Sequence, residues 1–324
     1  MAKGKQIELF TIDLKGKWTS KYVISTGVHA FDKVLNGGIP SGRLTEINGP
    51  ESTWKSLLSL QALAEAAKNE KLLVIYADTE HAISKGLVDM VGLDSESIMY
   101  LDIDKMESVE NIFDSIEAGL DLAKAQGKYL VYGWDSVAAT PGYEELTKEI
   151  GRNEAGMRRA KLIKSGLNKY MPRIAREYAT LIFVNQLIER IGIQFGEATS
   201  TPGGRSIKYW ASVRIQFKNL GRIKDDKTKE QIGSKGQMLV QKSKVGKPFG
   251  KVLFNHMVGE SILKHAGLLD YLTRHGYLEQ AGAYYNFVGH DENFQSKNFS
   301  NHFDAWEGKD DFLPKLKLDK EEKK

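Results

Sequence analysis

Cysteine is absent from the 324 residues. This absence excludes disulfides, thiolate metal sites and cysteine nucleophiles, and it agrees with a reducing compartment. Long apolar runs are lacking too, because none approaches the ~18 residues that span a bilayer. The first residues, MAKGKQIELFTIDLKGK, carry scattered charges and lack the apolar centre of a signal peptide. The sequence therefore favours a cytoplasmic protein without a membrane partner.

Net charge is small, at +4, but the positive charges are concentrated in two segments. Residues 148–178 hold nine Lys or Arg against three Glu, a local excess of +6. Residues 218–251 hold ten against three acidic residues, an excess of +7. Such segments bind polyanions through the release of counterions. A solvated lysine-rich surface is the alternative, and the charge pattern alone leaves both open.

Three short apolar runs end at polar residues and predict buried strands. They are LLVIYA before Asp78, YLVYGW before Asp135 and TLIFV before Asn185 and Gln186. None alternates clearly, as expected for strands buried on both faces. The helical patterns KSLLSLQALAEAAK and SVENIFDSIEAGLDLAKAQ lie among them. This order predicts an α/β fold with a parallel sheet, whose ligands bind at the carboxyl ends of the strands.

Later segments predict additions to this sheet. ASVRIQF (211–217), QMLVQK (237–242) and KVLFNHM (251–257) are strand-like runs that we expect to be antiparallel. After them, SILKHAGLLDYLTRHGYLEQAGAYYNF predicts a helix, a second short helix and a small hairpin. These segments indicate a compact unit appended to the main sheet.

The stretch GPESTWKS at residues 49–56 nearly matches the phosphate-binding loop pattern G-x-x-x-x-G-K-[ST]. It follows the short strand RLTEIN and precedes a helix, which is the context that such a loop requires. Lys55 would reach the terminal phosphates, Ser56 would bind Mg²⁺, and backbone N–H groups would hold the remaining charge. The predicted nucleotide-binding residues are Gly49, Pro50, Glu51, Ser52, Thr53, Trp54, Lys55, Ser56 and Leu57.

Polar residues at other strand ends complete the predicted site. Asp135 suits a carboxylate that holds Mg²⁺ directly or through water. Glu80, just past another strand, is placed to activate the attacking water. Asn185 and Gln186 are candidates to sense the γ-phosphate. A lone acidic residue at a strand end is often a helix cap, but four polar tips beside a phosphate loop favour ATP and Mg²⁺ as ligands.

Trp54 stands where the loop pattern has its closing glycine. A residue other than glycine at positive φ costs roughly 1–3 kcal/mol, whereas each hydrogen bond to a charged group contributes about 1.5–3 kcal/mol. Because the loop supplies several such bonds, nucleotide binding survives if the indole points away from the phosphates. We expect the indole to pack on the loop or on a neighbouring subunit. The alternative is a tryptophan that impairs hydrolysis.

Eight segments resemble the RecA family of ATP-dependent DNA recombinases. In chain order they are ISTGVHAFDKVLNGGIPSGRLTEINGPES, DTEHA, WDSVAATP, EIGRNEAGMR, IFVNQLIERIGIQFG, TPGGRSIKYWASVRI, KSKVGKPF and EQAGAYYNF. They run from about residue 24 to residue 288, most of the chain. The aromatic residue in the phosphate loop resembles the phage members of this family.

The resemblance implies a RecA-like ATPase core with a mostly parallel central sheet and a small α+β C-terminal domain. It implies a polymerisation segment at 1–23, a core with two DNA-binding loops at 24–258, and the small domain with a charged tail at 259–324. The partners it implies are single-stranded DNA, homologous duplex DNA, further copies in a helical filament, and single-strand-binding and loading proteins. A phage protein would work in the host cytoplasm.

The resemblance also assigns roles to individual residues. Glu80 matches the family's catalytic glutamate, and Gln186 matches the glutamine that couples the γ-phosphate to a DNA-binding loop. Lys242 and Lys244 match two lysines that reach ATP bound on the adjacent subunit. Two cations there would stabilise the charge of the transferring phosphoryl group. With Lys55, these residues form the predicted catalytic set.

Residues 149–160 resemble the first DNA-binding loop and residues 187–205 the second. Large apolar side chains in the second loop would wedge between bases, with buried packing as the alternative. Backbone amides and basic side chains would hold phosphates, which gives affinity without sequence preference. The predicted DNA-binding residues are Arg152, Asn153, Arg158, Arg159, Arg190, Ile191, Ile193, Phe195, Gly203, Gly204, Arg205 and Lys208.

The chain departs from the family pattern at several positions. Leu87 and Val258 replace tyrosines that lie near adenine in bacterial members. Ile163, Leu167 and Ile188 lack the expected polar DNA contacts, and nearby basic residues would substitute: Arg158, Arg159, Lys161, Lys164 and Arg190. A recombinase is the first hypothesis. An ATP-binding DNA filament scaffold with impaired hydrolysis is the alternative, and a hexameric helicase is disfavoured by the paired DNA loops and the QKSK lysines.

Overall fold

Strands and helices alternate through most of the described chain, which in this computed structural model comprises residues 20–101, 107–147, 155–189, 199–306 and 308–309. The strands are β1 (Val23–Ile24), β2 (Ile39–Pro40), β3 (Arg43–Gly49), β4 (Leu72–Asp78), β5 (Met99–Leu101), β6 (Tyr129–Asp135), β7 (Thr180–Gln186), β8 (Ile188–Glu189), β9 (Thr199–Ser200), β10 (Val213–Lys224), β11 (Gln231–Ser243), β12 (Lys251–Met257), β13 (Leu278–Ala281), β14 (Tyr284–Phe287) and β15 (Phe294–Gln295). The helices are α1 (His29–Val34), α2 (Lys55–Ala67), α3 (Lys85–Val91), α4 (Val109–Ala125), α5 (Tyr143–Thr147), α6 (Ala155–Arg176), α7 (Gly204–Trp210), α8 (Leu268–Arg274) and α9 (Phe299–Ala305).

Eight strands form one sheet in the order β12-β11-β10-β3-β7-β6-β4-β5. Neighbours from β10 to β5 pair in parallel, while β11 and β12 are antiparallel additions. The predicted mostly parallel α/β sheet is therefore confirmed. In this register Gly49 lies opposite Gln186, and Asp78 lies opposite Asp135. The polar strand ends thus meet at one edge.

Local sequence explains the main elements. All seven residues of β4 are buried, as its uninterrupted apolar run predicts. Helix α4 begins after Ser108, whose hydroxyl accepts the N–H of Asn111 at 3.3 Å, a standard N-cap. Strands β10 and β11 extend well beyond the runs seen in the sequence. The outer residues of β10 are largely exposed, and those of β11 alternate between exposed, half-buried and buried positions of which the buried ones are glycines, so no apolar run marks either extension.

Apolar side chains cover both faces of the sheet. One layer joins α1 and α2 to the C-terminal segment, and the other contains α4, α6 and α7. Ile163 and Leu167 are fully buried in the second layer. Their position in the core explains why they carry no polar group for DNA. Within the described residues, no helix has the length and apolar character needed to cross a membrane.

The C-terminal segment forms a small antiparallel sheet, β13-β14-β15, with α8 and α9. Two helices were predicted before the hairpin, and only one, α8, is found there, so the first predicted helix is wrong. Residues 261–263 are irregular, residues 264–267 form a turn, and Gly267 takes a φ of +70°, which a continuous helix does not allow. Gln61 of α2 exchanges two buried hydrogen bonds of 2.9 Å with the backbone of Ile262. This exchange fixes the start of the segment to α2.

Two histidines meet where α1 approaches the C-terminal segment. The rings of His29 and His265 lie 5.4 Å apart, and both pack against Phe303. Burial lowers the pKa of His29 to about 4, with Lys264 and His265 adding to the shift and Asp304 opposing it. This contact is therefore built for a neutral His29.

Candidate functional site

Four neighbouring strands bring the predicted nucleotide residues together. The phosphate loop leaves β3, Gln186 ends β7 and Asp135 ends β6. Glu80 lies two residues beyond β4. Because these strands are parallel and adjacent, their carboxyl ends share one edge of the sheet.

The loop closes around one backbone carbonyl. The oxygen of Pro50 accepts the Thr53 hydroxyl at 2.6 Å and the Lys55 ammonium at 2.7 Å. Ser52 and Trp54 both have positive φ angles, 55° and 51°. Residues 49–55 therefore form a tight turn that leads directly into α2.

Lys55 lies in a buried, acidic environment. Its side chain is mostly buried, and burial lowers the pKa of the ammonium group. The carboxylates of Asp135, Glu80 and Glu51 oppose that shift. A cation held next to several carboxylates is suited to binding a polyphosphate together with a metal ion.

Asp135 is fully buried at the end of β6. Burial raises its pKa to about 7; Glu80 and Asp78 add to the shift, while Ser56 and Tyr76 oppose it. The Tyr76 hydroxyl donates to Oδ2 at 3.1 Å, whereas Oδ1 accepts no hydrogen bond from the described residues. A buried carboxylate oxygen without a donor calls for a ligand, and magnesium takes such oxygens. The residues present therefore fit Mg²⁺.

A side-chain hydrogen bond joins two of the predicted catalytic residues, Gln186 and Glu80. The amide of Gln186 donates to Oε1 of Glu80 at 3.1 Å. The hydroxyl of Ser136 donates to the same oxygen. Glu80 is thus held from β7 on one side and from the end of β6 on the other.

Sequence reasoning missed the residues that fix the Glu80 backbone. Asp78 accepts N–H groups of Glu80 at 3.1 Å, Ala82 at 3.2 Å and Ile83 at 2.9 Å. An Asp followed by a turn commonly accepts backbone N–H groups in this way, and that signal was available in DTEHA. The position of Glu80 is therefore set by the backbone turn as well as by its side-chain partners.

Asn185 binds different partners from its neighbour Gln186. Its Nδ2 atom donates to Oε1 of Glu46 at 3.1 Å and to the Pro202 carbonyl at 3.0 Å. Glu46 is fully buried and forms an ion pair with Arg214. The amide of Asn185 therefore ties β7 to the segment that precedes α7, and only Gln186 of the two contacts Glu80.

The indole of Trp54 packs on β10 and β12 of the same chain. Its ring centroid lies 5.0 Å from Phe254, 6.1 Å from Phe217 and 5.8 Å from His256, all edge to face. Such aromatic contacts contribute about 0.5–1.5 kcal/mol each, comparable in sum to the roughly 1–3 kcal/mol of strain at a left-handed residue. The expected partners were the loop or a neighbouring subunit, and two strands of the chain's own sheet take that place.

Lys242 near the end of β11 and Lys244 just beyond it both lie beside the end of α7. The Lys242 ammonium donates to the carbonyls of Lys208 at 2.6 Å and Tyr209 at 3.2 Å. Lys244 donates to the Tyr209 carbonyl at 3.3 Å. The two lysines thus bind the carboxyl end of a helix, away from the bonds that join Glu80 and its partners.

The predicted DNA-binding residues fall into two groups. Six lie outside the described residues: Arg152, Asn153, Arg190, Ile191, Ile193 and Phe195. Of the others, Arg159 donates to the Ala138 carbonyl at 2.8 Å and to Glu145 at 3.0 Å. Arg158 donates to Glu144 at 2.6 Å. Both arginines therefore hold α5 to α6 in this structure.

The remaining DNA candidates surround the start of α7. Gly203 has a φ of +83°, and a Cβ there would lie 2.7 Å from the side chain of Ile207. Gly204 and Arg205 are exposed, while Lys208 is half-buried. The short pair β8–β9, in which Ile188 and Glu189 pair with Ser200 and Thr199, lies just before this helix.

The residues at which the chain departs from the family pattern differ in how far they are buried. Leu87 on α3 is partly buried against the core, whereas Val258 is 69% exposed. Lys161 and Lys164 are exposed on α6. The side chain of Ile188 lies outside the described residues.

The part of the chain that matches known proteins includes all the residues of this site. The RecA N-terminal domain family model matches residues 5–263. Protein RecA of Rubrobacter xylanophilus is 35% identical over 267 residues, 82% of this chain and 74% of the relative. Protein RecA of Streptomyces venezuelae is 35% identical over 284 residues, 87% and 71% of the two chains, and that of Streptomyces coelicolor is 34% identical with 87% and 72% covered. The matched range includes every strand of the eight-stranded sheet.

Proposed function

Because this chain belongs to the RecA family of DNA recombinases, we propose that it hydrolyses ATP while assembled as a helical filament on single-stranded DNA. Its function lies in DNA recombination and repair. In this proposal the filament pairs the bound strand with homologous duplex DNA and promotes strand exchange. Single-strand-binding and loading proteins are further proposed partners, and the cytoplasm, or a phage host's cytoplasm, is the proposed location.

The bond between Gln186 and Glu80 carries the proposal. Gln186 ends the strand that leads into the second predicted DNA-binding loop, and Glu80 is the predicted base for the attacking water. A base within hydrogen-bond reach of a side chain on that path can respond to DNA. This contact therefore supports a DNA-dependent ATPase over a protein that binds ATP and DNA independently.

ATP and Mg²⁺ are the proposed ligands. The loop from Gly49 to Leu57 would bind the phosphates through its N–H groups and through the Lys55 ammonium. Ser56 and Asp135 would hold Mg²⁺, a role supported by the Oδ1 atom of Asp135, which accepts no hydrogen bond from the described part of the chain. When bound, Mg²⁺ neutralises phosphate charge and orients the terminal phosphoryl group.

Glu80 would accept a proton from the attacking water in this site. Its backbone turn and its two side-chain donors hold the carboxylate near the end of β6. Lys242 and Lys244 would reach ATP on an adjacent subunit, so that hydrolysis depends on assembly. To do so, both ammonium groups must leave the α7 carbonyls that they bind here.

The DNA contacts and the domain division belong to the same proposal. Arg205, Lys208 and the glycines at the start of α7 would bind phosphates, together with the predicted residues in 149–160 and 187–198. Arg158 and Arg159 would exchange Glu144 and Glu145 for phosphate. The proposed units are residues 1–23 for polymerisation, 24–258 for the ATPase core, and 259–324 for the small C-terminal domain.

Phosphate release tests the proposal. Release at saturating ATP would be measured without DNA, with single-stranded DNA and with duplex, and filaments would be viewed by electron microscopy. We expect single-stranded DNA to raise the rate and Lys55→Ala to abolish it. Filaments without DNA stimulation would instead favour the ATP-binding scaffold. Rings in place of filaments would favour a helicase-like motor.

A further inference from the structure

We propose that Trp54 is a positioning residue for ATP, because its indole anchors the phosphate loop to β10 and β12. This inference rests on the proposed ATP site. It assigns the tryptophan an active role in nucleotide binding, where the loop pattern has only a glycine.

The backbone of the loop needs an external restraint. Trp54 has φ 51° and ψ 11°, in the left-handed region, and Ser52 also has a positive φ. Glycine adopts this region freely, but other residues leave it unless their surroundings hold them. The Trp54 carbonyl accepts the N–H of Leu58 at 2.9 Å, so this strained residue also starts α2.

The restraint is a slot on three neighbouring strands. Phe217 on β10 and Phe254 on β12 form its walls, and both are buried. Gly236 on β11 forms its floor and lies opposite Phe254 in the strand register. A Cβ at Gly236 would lie 2.8 Å from the indole ring and 2.4 Å from the Phe254 ring. The ring of Trp54 therefore occupies space that only a glycine at position 236 leaves open.

Phe217 contacts both ends of the loop. At the exit it packs against the indole of Trp54. At the entrance, a Cβ on Gly49 would lie 3.0 Å from the Phe217 carbonyl and 2.7 Å from the Thr53 hydroxyl. Strand β10 pairs with β3, which carries the loop. The loop is thus held at entrance and exit by one rigid part of the sheet.

The next residue connects this anchor to ATP. Lys55 directly follows Trp54, and its ammonium is largely buried among carboxylates. A shift of the Trp54 peptide would redirect both Lys55 and the hydroxyl of Ser56. Small displacements of such groups weaken binding strongly, since the N–H and ammonium donors act together. We therefore expect the anchor to set ATP affinity and to leave the chemical step largely unaffected.

Three substitutions at position 54 separate strain from anchoring. Trp54→Phe keeps a ring in the slot, so we expect ATP affinity within roughly threefold of the parent chain. Trp54→Gly removes both ring and strain, and we expect affinity to fall roughly threefold to tenfold. Trp54→Ala keeps the strain without the anchor and should weaken binding most, by roughly tenfold or more. If Trp54 had no positioning role, Trp54→Gly would instead bind ATP as tightly as the parent chain or more tightly.

The measurement is the affinity for a fluorescent ATP analogue without DNA, followed by kcat and KM with single-stranded DNA. We expect KM for ATP to rise in the order given while kcat changes less than roughly threefold. Circular dichroism and thermal unfolding would verify each fold. If Trp54→Ala fails to fold, the comparison between phenylalanine and glycine decides, and equal affinities of those two variants overturn the inference.

Gly236→Ala provides an independent test of the slot. In the parent chain it should displace the indole and weaken ATP binding. Beside Trp54→Gly the clash with the Phe254 ring remains, but no indole is left to displace, so the further loss of ATP affinity should be smaller than in the parent chain. Additive effects of the two substitutions would contradict the slot. A parent chain that binds no ATP analogue would refute the proposed function itself. Equal binding by the parent and every position-54 variant would refute only the role of Trp54.

Discussion

Two donors share one oxygen of Glu80, and removing each should have a different kinetic effect. Ser136→Ala removes the donor at the end of β6, and Gln186→Ala removes the donor at the end of β7. Both changes loosen the carboxylate. Only Gln186 lies on the strand that leads into the second predicted DNA-binding loop.

The expected size follows from the bond that is lost. A hydrogen bond to a charged group contributes about 1.5–3 kcal/mol. If that bond is made in the transition state, its loss lowers the rate roughly 10- to 150-fold. For Ser136→Ala we expect the rates with and without DNA to fall by similar factors, so their ratio stays near that of the parent chain. For Gln186→Ala we expect the ratio itself to fall towards one.

Steady-state phosphate release at saturating ATP, with and without single-stranded DNA, measures this ratio. DNA binding would be checked in parallel, so that a lost filament is not mistaken for a lost signal. Gln186→Asn is the matched control, because it keeps the amide but shortens the side chain that now reaches Glu80 at 3.1 Å. It should behave like the alanine variant. If Ser136→Ala and Gln186→Ala change the ratio equally, Gln186 does not transmit the DNA signal.

Three further predictions concern catalysis, stability and pH. Glu80→Gln should leave ATP and DNA binding intact and stop hydrolysis, so unchanged phosphate release would remove its assigned role. Arg214→Met should lower the free energy of unfolding by about 3–5 kcal/mol, because it leaves the fully buried Glu46 without its ion pair. The control Arg158→Met breaks an exposed pair and should cost under about 1 kcal/mol in the same denaturant titration; equal losses would contradict this reasoning. Burial lowers the pKa of His29 from 6.5 to about 4. As the pH falls, His29 therefore binds a proton in the unfolded chain before it does so in the folded chain. The stability that it contributes is fully present above pH 6.5 and is lost as the pH drops towards 4. His29→Gln should flatten that part of the stability profile in denaturant titrations, and an unchanged slope would exclude His29 as its source.

The cluster of Asp135, Gln186 and Glu80 at the carboxyl ends of the strands could be predicted because its sequence signals are local. Each polar residue follows an apolar run, and the carboxyl ends of adjacent parallel strands meet at one edge. That Asn185 faces away from Glu80 could also have been predicted from the sequence, because successive residues of a strand point to opposite faces of the sheet. Asn185 and Gln186 are consecutive on β7, so both could not face the same nucleotide. Attention to this alternation would have selected Gln186 alone.

The surroundings of Trp54 could not be predicted in the same way. Its ring meets residues from β10, β11 and β12, which are far away in the sequence. No local pattern marks Gly236 as the floor of a slot, because a glycine inside a strand has several possible causes. The outer parts of β10 and β11 were missed for a related reason. Backbone pairing maintains them, and backbone pairing has no apolar signature.

The slot beneath Trp54 also constrains the order in which mutations can accumulate. A chain with a side chain at position 236 has no room for the indole, so a tryptophan arriving first would face a steric clash. A glycine at position 236 is therefore the permissive state, and an aromatic residue at position 54 fits only in its presence. Any side chain at position 236 is then excluded by the indole as well as by the Phe254 ring. Two sites in distant parts of the gene are therefore expected to evolve as a linked pair, and a relative with large side chains at both would contradict that expectation.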